Sequence, residues 1–108
     1  MSYKVSSIPL FDAQAKRLAK KYPSLKKELL GLIESLAENP TQGNSMGKNF
    51  YKIRLAISSK GKGKSGGARV ITYLKVVQEN IYLASIYDKS EQVDISVKEL
   101  ENILKMLP

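Results

Sequence analysis

The chain has 108 residues, of which 43% are hydrophobic, so it suits a single domain spanning residues 1–108 and is too apolar for a disordered chain. It contains no cysteine and no histidine, which excludes disulfides and thiolate metal sites and removes the commonest acid–base residue and metal ligand, so we expect no metal and no cofactor. The net charge is +8, no apolar run approaches the roughly 20 residues of a membrane helix, and no secretion signal precedes the domain, so we expect a cytoplasmic protein with no membrane contact.

The first predicted elements are a short strand and a helix. Residues 3–8 have the composition of a strand, and Pro9 ends it. From Phe11 to Tyr22 the apolar residues fall on one helical face, and the basic residues lie mostly outside that face. Pro23 breaks this helix.

Residues 24–40 predict a second helix. Ser24 can cap it, an apolar stripe runs from Leu25 to Leu36, and Asn39 with Pro40 stops it. Two helices separated by a tight break form a helical hairpin. We interpret both apolar stripes as core.

The period of the pattern then changes from helix to strand. Residues 51–58 alternate apolar side chains with basic or small ones, which predicts a half-buried strand. The glycines of residues 58–67 (SSKGKGKSGG) favour a mobile loop. Residues 68–77 and 81–87 are rich in β-branched and aromatic residues and are separated by the turn at residues 78–80, so they predict a hairpin.

The chain finishes with a predicted helix. Ser96 and Glu99 fit a capping box, and apolar residues continue at helical spacing to Leu107. The order of elements is strand, two helices, three strands and helix. It predicts an α+β fold: an N-terminal strand and helical hairpin, an antiparallel sheet meander and a C-terminal helix, with the helices packed on one sheet face.

The positive charge is concentrated in the middle of the chain. Residues 39–78 hold eight basic residues and no acidic one, whereas residues 79–108 carry a balance of −3. Such a field attracts a polyanion, and nucleic acid is the first candidate. The alternative is a surface that is basic without a specific partner.

The predicted sheet gathers several of these cations near one tyrosine. Lys52 and Arg54 lie two residues apart on one strand and therefore share a face. Arg69 opens the next strand, and Tyr87 closes the last one. The ends of adjacent strands in a meander lie close together, so we expect a concave basic patch with a tyrosine and a carboxylate at its edge. The other candidates for this patch are Lys48, Lys60, Lys62, Lys64, Lys89 and Glu91.

Two separated motifs resemble one protein family. FYKIRLAISSKGKGKSGGARVITYL, which begins at Phe50, and IYLASIYDKSEQVDIS, which begins at Ile81, resemble the RelE/ParE superfamily of toxins, with the HigB-like branch as the nearest likeness. The resemblance implies a RelE-like fold and the toxin of a type II toxin–antitoxin system. It also implies a ribosome-dependent mRNA endonuclease that inhibits translation and forms a hetero-oligomer with a cognate antitoxin.

The resemblance also suggests roles for individual residues. Arg69 matches the family's phosphate-binding arginine, Arg54 and Lys52 would assist it, and Tyr87 would orient the nucleophile, stack on a base or donate a proton. Metal-free RNA cleavage by the 2′-hydroxyl needs positioning, proton transfer and charge stabilisation. The candidates for the general base are Glu91, a loop lysine with a lowered pKa, and Tyr87. The expected RNA-binding residues are Lys48, Lys60, Lys62, Lys64 and Lys89.

Other interpretations of these residues stay open at this point. The loop lysines can simply grip ribosomal RNA, Tyr87 can be a core residue, and Lys89 with Glu91 can be a solvated pair. At the level of function, the alternatives are a non-nucleolytic ParE-like toxin that acts on DNA gyrase and an RNA- or ribosome-binding module without catalysis.

Overall fold

A computed structural model of the chain describes residues 2–61, 63 and 66–108. Three helices and five strands follow one another in the order β1 (Lys4–Ser7), α1 (Pro9–Lys21), α2 (Leu25–Glu38), β2 (Asn44–Gly47), β3 (Phe50–Leu55), β4 (Ala68–Lys75), β5 (Asn80–Asp88) and α3 (Val97–Met106). Short 3-10 turns lie at Ser58–Lys60 and Val76–Gln78. Within the described ranges, no helix has the length and apolarity needed to cross a bilayer.

The strands form one sheet in the order β1-β5-β4-β3-β2. β1 pairs in parallel with β5, and the other neighbours are antiparallel. The sequence predicted the hairpin of β4 and β5 but not β2, because Asn44–Gly47 lacks an alternating apolar pattern. This short strand exists because it can pair with β3 through a turn in which Lys48 and Asn49 adopt positive φ angles of 51° and 68°.

The pairing register divides the central strands into two faces. Arg54 pairs with Arg69 and Arg69 pairs with Tyr87, so these side chains share a face with Lys52 and Phe50, which we call the basic face. Ile53, Val70, Ile86 and Asp88 point the other way, toward the side that we call the helical-hairpin face. β5 contains a bulge: Ile71 pairs with Ser85 and Thr72 pairs with Leu83, so Ala84 has no partner in β4. This extra residue sets which side chains of β5 lie on each face.

Helices cover both faces of the sheet. α1 packs on the helical-hairpin face, where the Tyr22 hydroxyl donates to Asp88 Oδ2 at 2.6 Å. α3 lies across the other face, where Val97, Leu100 and Leu104 line one cavity together with Phe50. The prediction that all helices pack on one face is therefore wrong. Its physical reason is visible in β4 and β5, which are buried along nearly their whole length and so need a cover on both sides.

Helix ends follow the sequence signals with one exception. α2 ends at Glu38 before Asn39, and Ser96 with Glu99 forms the predicted capping box of α3. Ser24 stands at the N-cap position of α2, but its side chain makes no capping bond. Its hydroxyl instead donates to Glu28 at 3.0 Å and lies 2.7 Å from the Ser59 hydroxyl, which ties α2 to the segment after β3.

Candidate functional site

Three neighbouring strands bring two arginines and a tyrosine into one row. Arg54 of β3 is the register partner of Arg69 of β4, which is in turn the partner of Tyr87 of β5. Paired residues of an antiparallel ladder have Cα atoms about 4.5–5.5 Å apart and project to the same side. Lys52 lies two residues before Arg54 and joins this row on the basic face. The structure thus brings these four residues together on one face, as the sequence predicts.

The four side chains differ in their exposure. Arg54 is exposed and Lys52 is about a quarter exposed, whereas Arg69 is only 6% exposed and donates from Nη1 to the Ala68 carbonyl at 3.2 Å. Tyr87 is 5% exposed. The row therefore has an open cationic end at β3 and a buried end at β4 and β5.

A carboxylate that the sequence did not single out completes the row. Oδ1 of Asp94 accepts hydrogen bonds from Nζ of Lys52 at 3.1 Å, from the Tyr87 hydroxyl at 3.4 Å and from the backbone N–H of Ile95 at 2.8 Å. The segment between β5 and α3 folds back over the basic face and is anchored there by the buried Ile95. The usable signal was an aspartate directly before a lone isoleucine and a capping box (DIS).

The environment sets the protonation states of Asp94 and Tyr87. The hydrogen bond from Ile95 and the ion pair with Lys52 lower the pKa of Asp94, so it is a carboxylate at neutral pH. Burial, together with the negative charge of Asp94, raises the pKa of Tyr87 to about 12, although Arg69 opposes the shift. Tyr87 is therefore a phenol at neutral pH, which suits a hydrogen-bond or proton donor and not a general base.

A groove extends the site along the edge of the sheet. It has a volume of about 420 Å³ and is lined by Gln42, Gly43 and Asn44 on one side and by residues 52–54 of β3 on the other. The backbone packs closely here, because a Cβ on Gly43 would lie 2.6 Å from the Lys52 carbonyl oxygen. Lys52 and Arg54 thus line an open concavity, which is a shape that can receive part of a nucleic-acid strand.

Comparison with known proteins identifies the family. A family model described as the RelE toxin of the RelE / RelB toxin–antitoxin system matches residues 10–107. The chain belongs to the RelE toxin family. This confirms the superfamily that the two motifs indicated, whereas the assignment to the HigB-like branch stays a prediction.

Solved structures confirm the RelE fold. A mutant of the E. coli toxin RelE in the free state has a TM-score of 0.61 with 13% sequence identity, and the match covers 100% of both chains. The isolated E. coli RelE toxin has a TM-score of 0.52 with 19% identity, and the match covers 98% of this chain and 100% of that one. The α+β architecture predicted from the sequence is therefore correct.

Glu91 lies outside the site of this RelE-family toxin. Its carboxylate accepts from Nη2 of Arg17 at 2.7 Å and from Nζ of Lys21 at 3.3 Å, so it faces α1. The turn that begins at Asp88, whose carbonyl accepts from the Glu91 N–H at 3.0 Å, directs Glu91 away from Tyr87. The expectation that Glu91 borders the basic patch is corrected, and Asp94 takes that place.

Lys60 also faces the helical-hairpin side. Its Nζ lies 2.5 Å from Oδ1 of the fully buried Asp88, and its side chain is only 8% exposed. Burial alone would raise the pKa of Asp88, but hydrogen bonds from Lys60, Tyr22 and Ser90 outweigh it and hold that pKa well below its usual range. The structure thus uses Lys60 inside the fold, which corrects its predicted place among the RNA contacts.

The remaining lysines are spread along the molecule. Lys48 lies in the β2–β3 turn beside α3, at the opposite end of β3 from Arg54. Lys89 directly follows β5, and its Nζ donates to the Val93 carbonyl at 3.3 Å. Lys62 and Lys64 lie outside the described residues. The group that the structure brings together is therefore Lys52, Arg54, Arg69, Tyr87 and Asp94.

Proposed function

We propose that this RelE-family toxin is a ribosome-dependent mRNA endonuclease that inhibits translation. The single observation that carries the proposal is the row formed by Arg54, Arg69 and Tyr87 across three strands. A scissile phosphate placed over the row would meet positive charge from β3 and β4 and a phenol from β5. Charge-assisted hydrogen bonds from arginine to phosphate oxygens are strong and directional, which suits a site that must align a phosphodiester.

The proposed chemistry is attack of a ribose 2′-hydroxyl on the adjacent phosphate, without a metal. Arg69, held by its buried surroundings, would fix the orientation of the phosphate. Arg54 and Lys52, at the open end, would hold the backbone and stabilise the extra negative charge of the transition state. Tyr87 would act near the leaving oxygen, because its raised pKa keeps it protonated.

The partners follow from the same proposal. The substrate is mRNA bound to the ribosome, which places the action in the cytoplasm. An antitoxin with an acidic or amphipathic segment would neutralise the toxin by covering the basic face, and the two chains would form a hetero-oligomer.

The test is a map of transcript 5′ ends after expression of the full chain. We expect new ends inside translated reading frames. Arg54→Ala should reduce them at least about tenfold, since one arginine–phosphate contact contributes about 1.5–3 kcal/mol. The matched control is Lys27→Ala, which removes one charge from an exposed position of α2 and should leave the cuts unchanged.

A second measurement addresses the nucleophile. Programmed ribosomes carrying an mRNA with a single 2′-deoxynucleotide at the cut site should be resistant, and the normal product should carry a 2′,3′-cyclic phosphate. Growth arrest with intact transcripts and damaged DNA topology would instead favour the gyrase-directed alternative. Ribosome binding with neither arrest nor cuts would favour a non-catalytic module.

A further inference from the structure

Asp94 lies where the proposed reaction needs a proton acceptor. Its side chain is 59% exposed, so a ribose hydroxyl can reach it, and its Oδ1 is in contact with both Lys52 and Tyr87. The other acidic candidate, Glu91, is bound to α1 on the opposite side of the sheet. We propose that Asp94 accepts the proton of the attacking 2′-hydroxyl and that Tyr87 donates a proton to the leaving 5′-oxygen. This inference rests on the proposed endonuclease function.

The proton balance closes within the pair. The 2′-oxygen forms a bond to phosphorus while its proton moves to the Asp94 carboxylate. The bond from phosphorus to the 5′-oxygen breaks, and that oxygen takes the proton of the Tyr87 hydroxyl. The products are a 2′,3′-cyclic phosphate and a 5′-hydroxyl, with Asp94 protonated and Tyr87 a phenolate. The proton of Asp94 then passes to Tyr87 across their 3.4 Å contact and restores the resting state.

The geometry of the contact supports this division of work. It places a proton acceptor and a proton donor beside one binding position for a phosphate. In an in-line displacement the attacking and leaving oxygens lie on opposite sides of the phosphorus, so the 3.4 Å contact must open when RNA binds, with Asp94 at the 2′-oxygen and Tyr87 at the 5′-oxygen. General acid–base catalysis requires that each group come within hydrogen-bond reach of the proton that it moves. The row of arginines next to the pair would hold the phosphate in place for both groups.

Binding of RNA would also make Asp94 a better base. In the free protein its hydrogen bonds from Ile95 and Lys52 lower its pKa. A phosphate that draws Lys52 away removes one of these two causes and adds a negative charge nearby, and both changes raise the proton affinity of the carboxylate. The other charged and titratable groups around the pair come from three elements: Lys52 and Arg54 of β3, Arg69 of β4 and Glu99 of α3.

The first test compares Asp94→Asn with the wild-type chain in single-turnover cleavage on programmed ribosomes. The amide oxygen can still accept from the Ile95 N–H, so the fold is retained, but the side chain can no longer take a proton. We expect the cleavage rate to fall by about 100-fold or more, as for a lost general base. Binding to the ribosome should stay equal or become tighter, because a negative charge leaves a cationic surface. Glu34→Gln, the same charge change at an exposed position of α2, should cleave normally.

The second test separates the base from the acid. An mRNA with sulfur in place of the leaving 5′-oxygen needs no proton donor, since a thiol ionises with a pKa of about 8.5. Tyr87→Phe should cleave the oxygen substrate slowly and regain most of its rate on the sulfur substrate. Asp94→Asn should stay slow on both substrates. Rescue of Tyr87→Phe alone would assign the proton donor of the leaving oxygen to Tyr87 and not to Asp94.

Several outcomes would overturn the proposal while leaving the endonuclease intact. They are a cleavage rate of Asp94→Asn equal to that of the wild type, a loss of its ribosome binding in parallel with its cleavage rate, or an equal rescue of both variants by the sulfur substrate. Failure of the wild-type chain to cut translated mRNA would instead refute the proposed function itself.

Discussion

Asp88 and Tyr87 are neighbours in the chain but serve opposite sides of the sheet. Tyr87 points to the basic face, whereas Asp88 is fully buried on the helical-hairpin face with Lys60, Tyr22 and Ser90 as hydrogen-bond donors. Lys21 approaches the same carboxylate at 3.5 Å. A charge at such a depth is tolerated only because every oxygen has a donor. The ion pair of Lys60 and Asp88 joins the segment after β3 to α1 and β5.

At this scale we predict that Asp88→Asn lowers the free energy of unfolding at pH 7 by about 3 kcal/mol, because it leaves the ammonium of Lys60 buried without its counter-charge. The folded-state pKa of Asp88 lies below its unfolded value, so its contribution is present above about pH 4 and is lost as the pH falls below that value. Urea unfolding between pH 3 and pH 7 measures both effects. The variant should lose part of the acid dependence, whereas Glu34→Gln, at an exposed position of α2, should behave as wild type. If the free energies of unfolding of wild type and Asp88→Asn changed with pH by the same amount, the Asp88 carboxylate would not contribute to the acid dependence.

At the scale of elements, α3 depends on its first turn. The Ser96 hydroxyl accepts from the Glu99 N–H at 3.1 Å, and the Glu99 carboxylate accepts from the Ser96 N–H at 3.1 Å. Ser96→Ala should therefore lower the free energy of unfolding by about 1 kcal/mol. Ser96→Thr keeps the acceptor and should recover most of the loss in the same denaturant titration. Equal stability of the alanine and wild-type chains would mean that the cap contributes nothing to the fold.

The elements differ in whether the local sequence is enough to predict them. Local signals were enough for α1, α2, α3 and the β4–β5 hairpin, because periodicity, proline and caps act within a few residues. The partner of β1 and the existence of β2 depend on pairing between distant segments, which no local pattern encodes. For the site, strand alternation placed Lys52 and Arg54 together, and the meander placed Arg69 and Tyr87 beside them. The directions of Glu91 and Asp94 depend on the path of the connection after β5, so the sequence predicts Glu91 beside the basic face, where the structure has Asp94.

At the scale of the whole molecule, the cations that the structure describes in the acid-free middle of the chain do not form one continuous surface. Lys60 is neutralised by Asp88, Lys75 donates to the Pro108 carbonyl at 2.8 Å, and Lys48 lies beside α3. Lys52 and Arg54 are the more exposed cations of the site. The described cations therefore offer a polyanion fewer contacts than the net charge of +8 suggests.

This distribution predicts a modest salt dependence. The logarithm of the binding constant for a single-stranded RNA should fall linearly with the logarithm of the salt concentration, at about 0.7 per phosphate contact. Arg54→Ala should reduce the magnitude of this slope by about one contact, whereas Lys27→Ala on α2 should not change it. Fluorescence anisotropy at several salt concentrations measures the slopes. Equal slopes for Arg54→Ala and wild type would remove Arg54 from the RNA contacts.

Ala84, the single unpaired residue of β5, decides which faces of the sheet Tyr87 and Asp88 occupy. If β5 kept strict alternation from Leu83 onward with Ala84 in the ladder, Tyr87 would turn toward α1 and Asp88 would turn toward Arg69. A one-residue slip of the strand, with no change of sequence, would thus replace a phenol with a carboxylate on the basic face and leave Lys60 facing an aromatic ring. The position of the bulge therefore determines both that Asp88 is buried beside Lys60 and that the Tyr87 hydroxyl lies on the basic face.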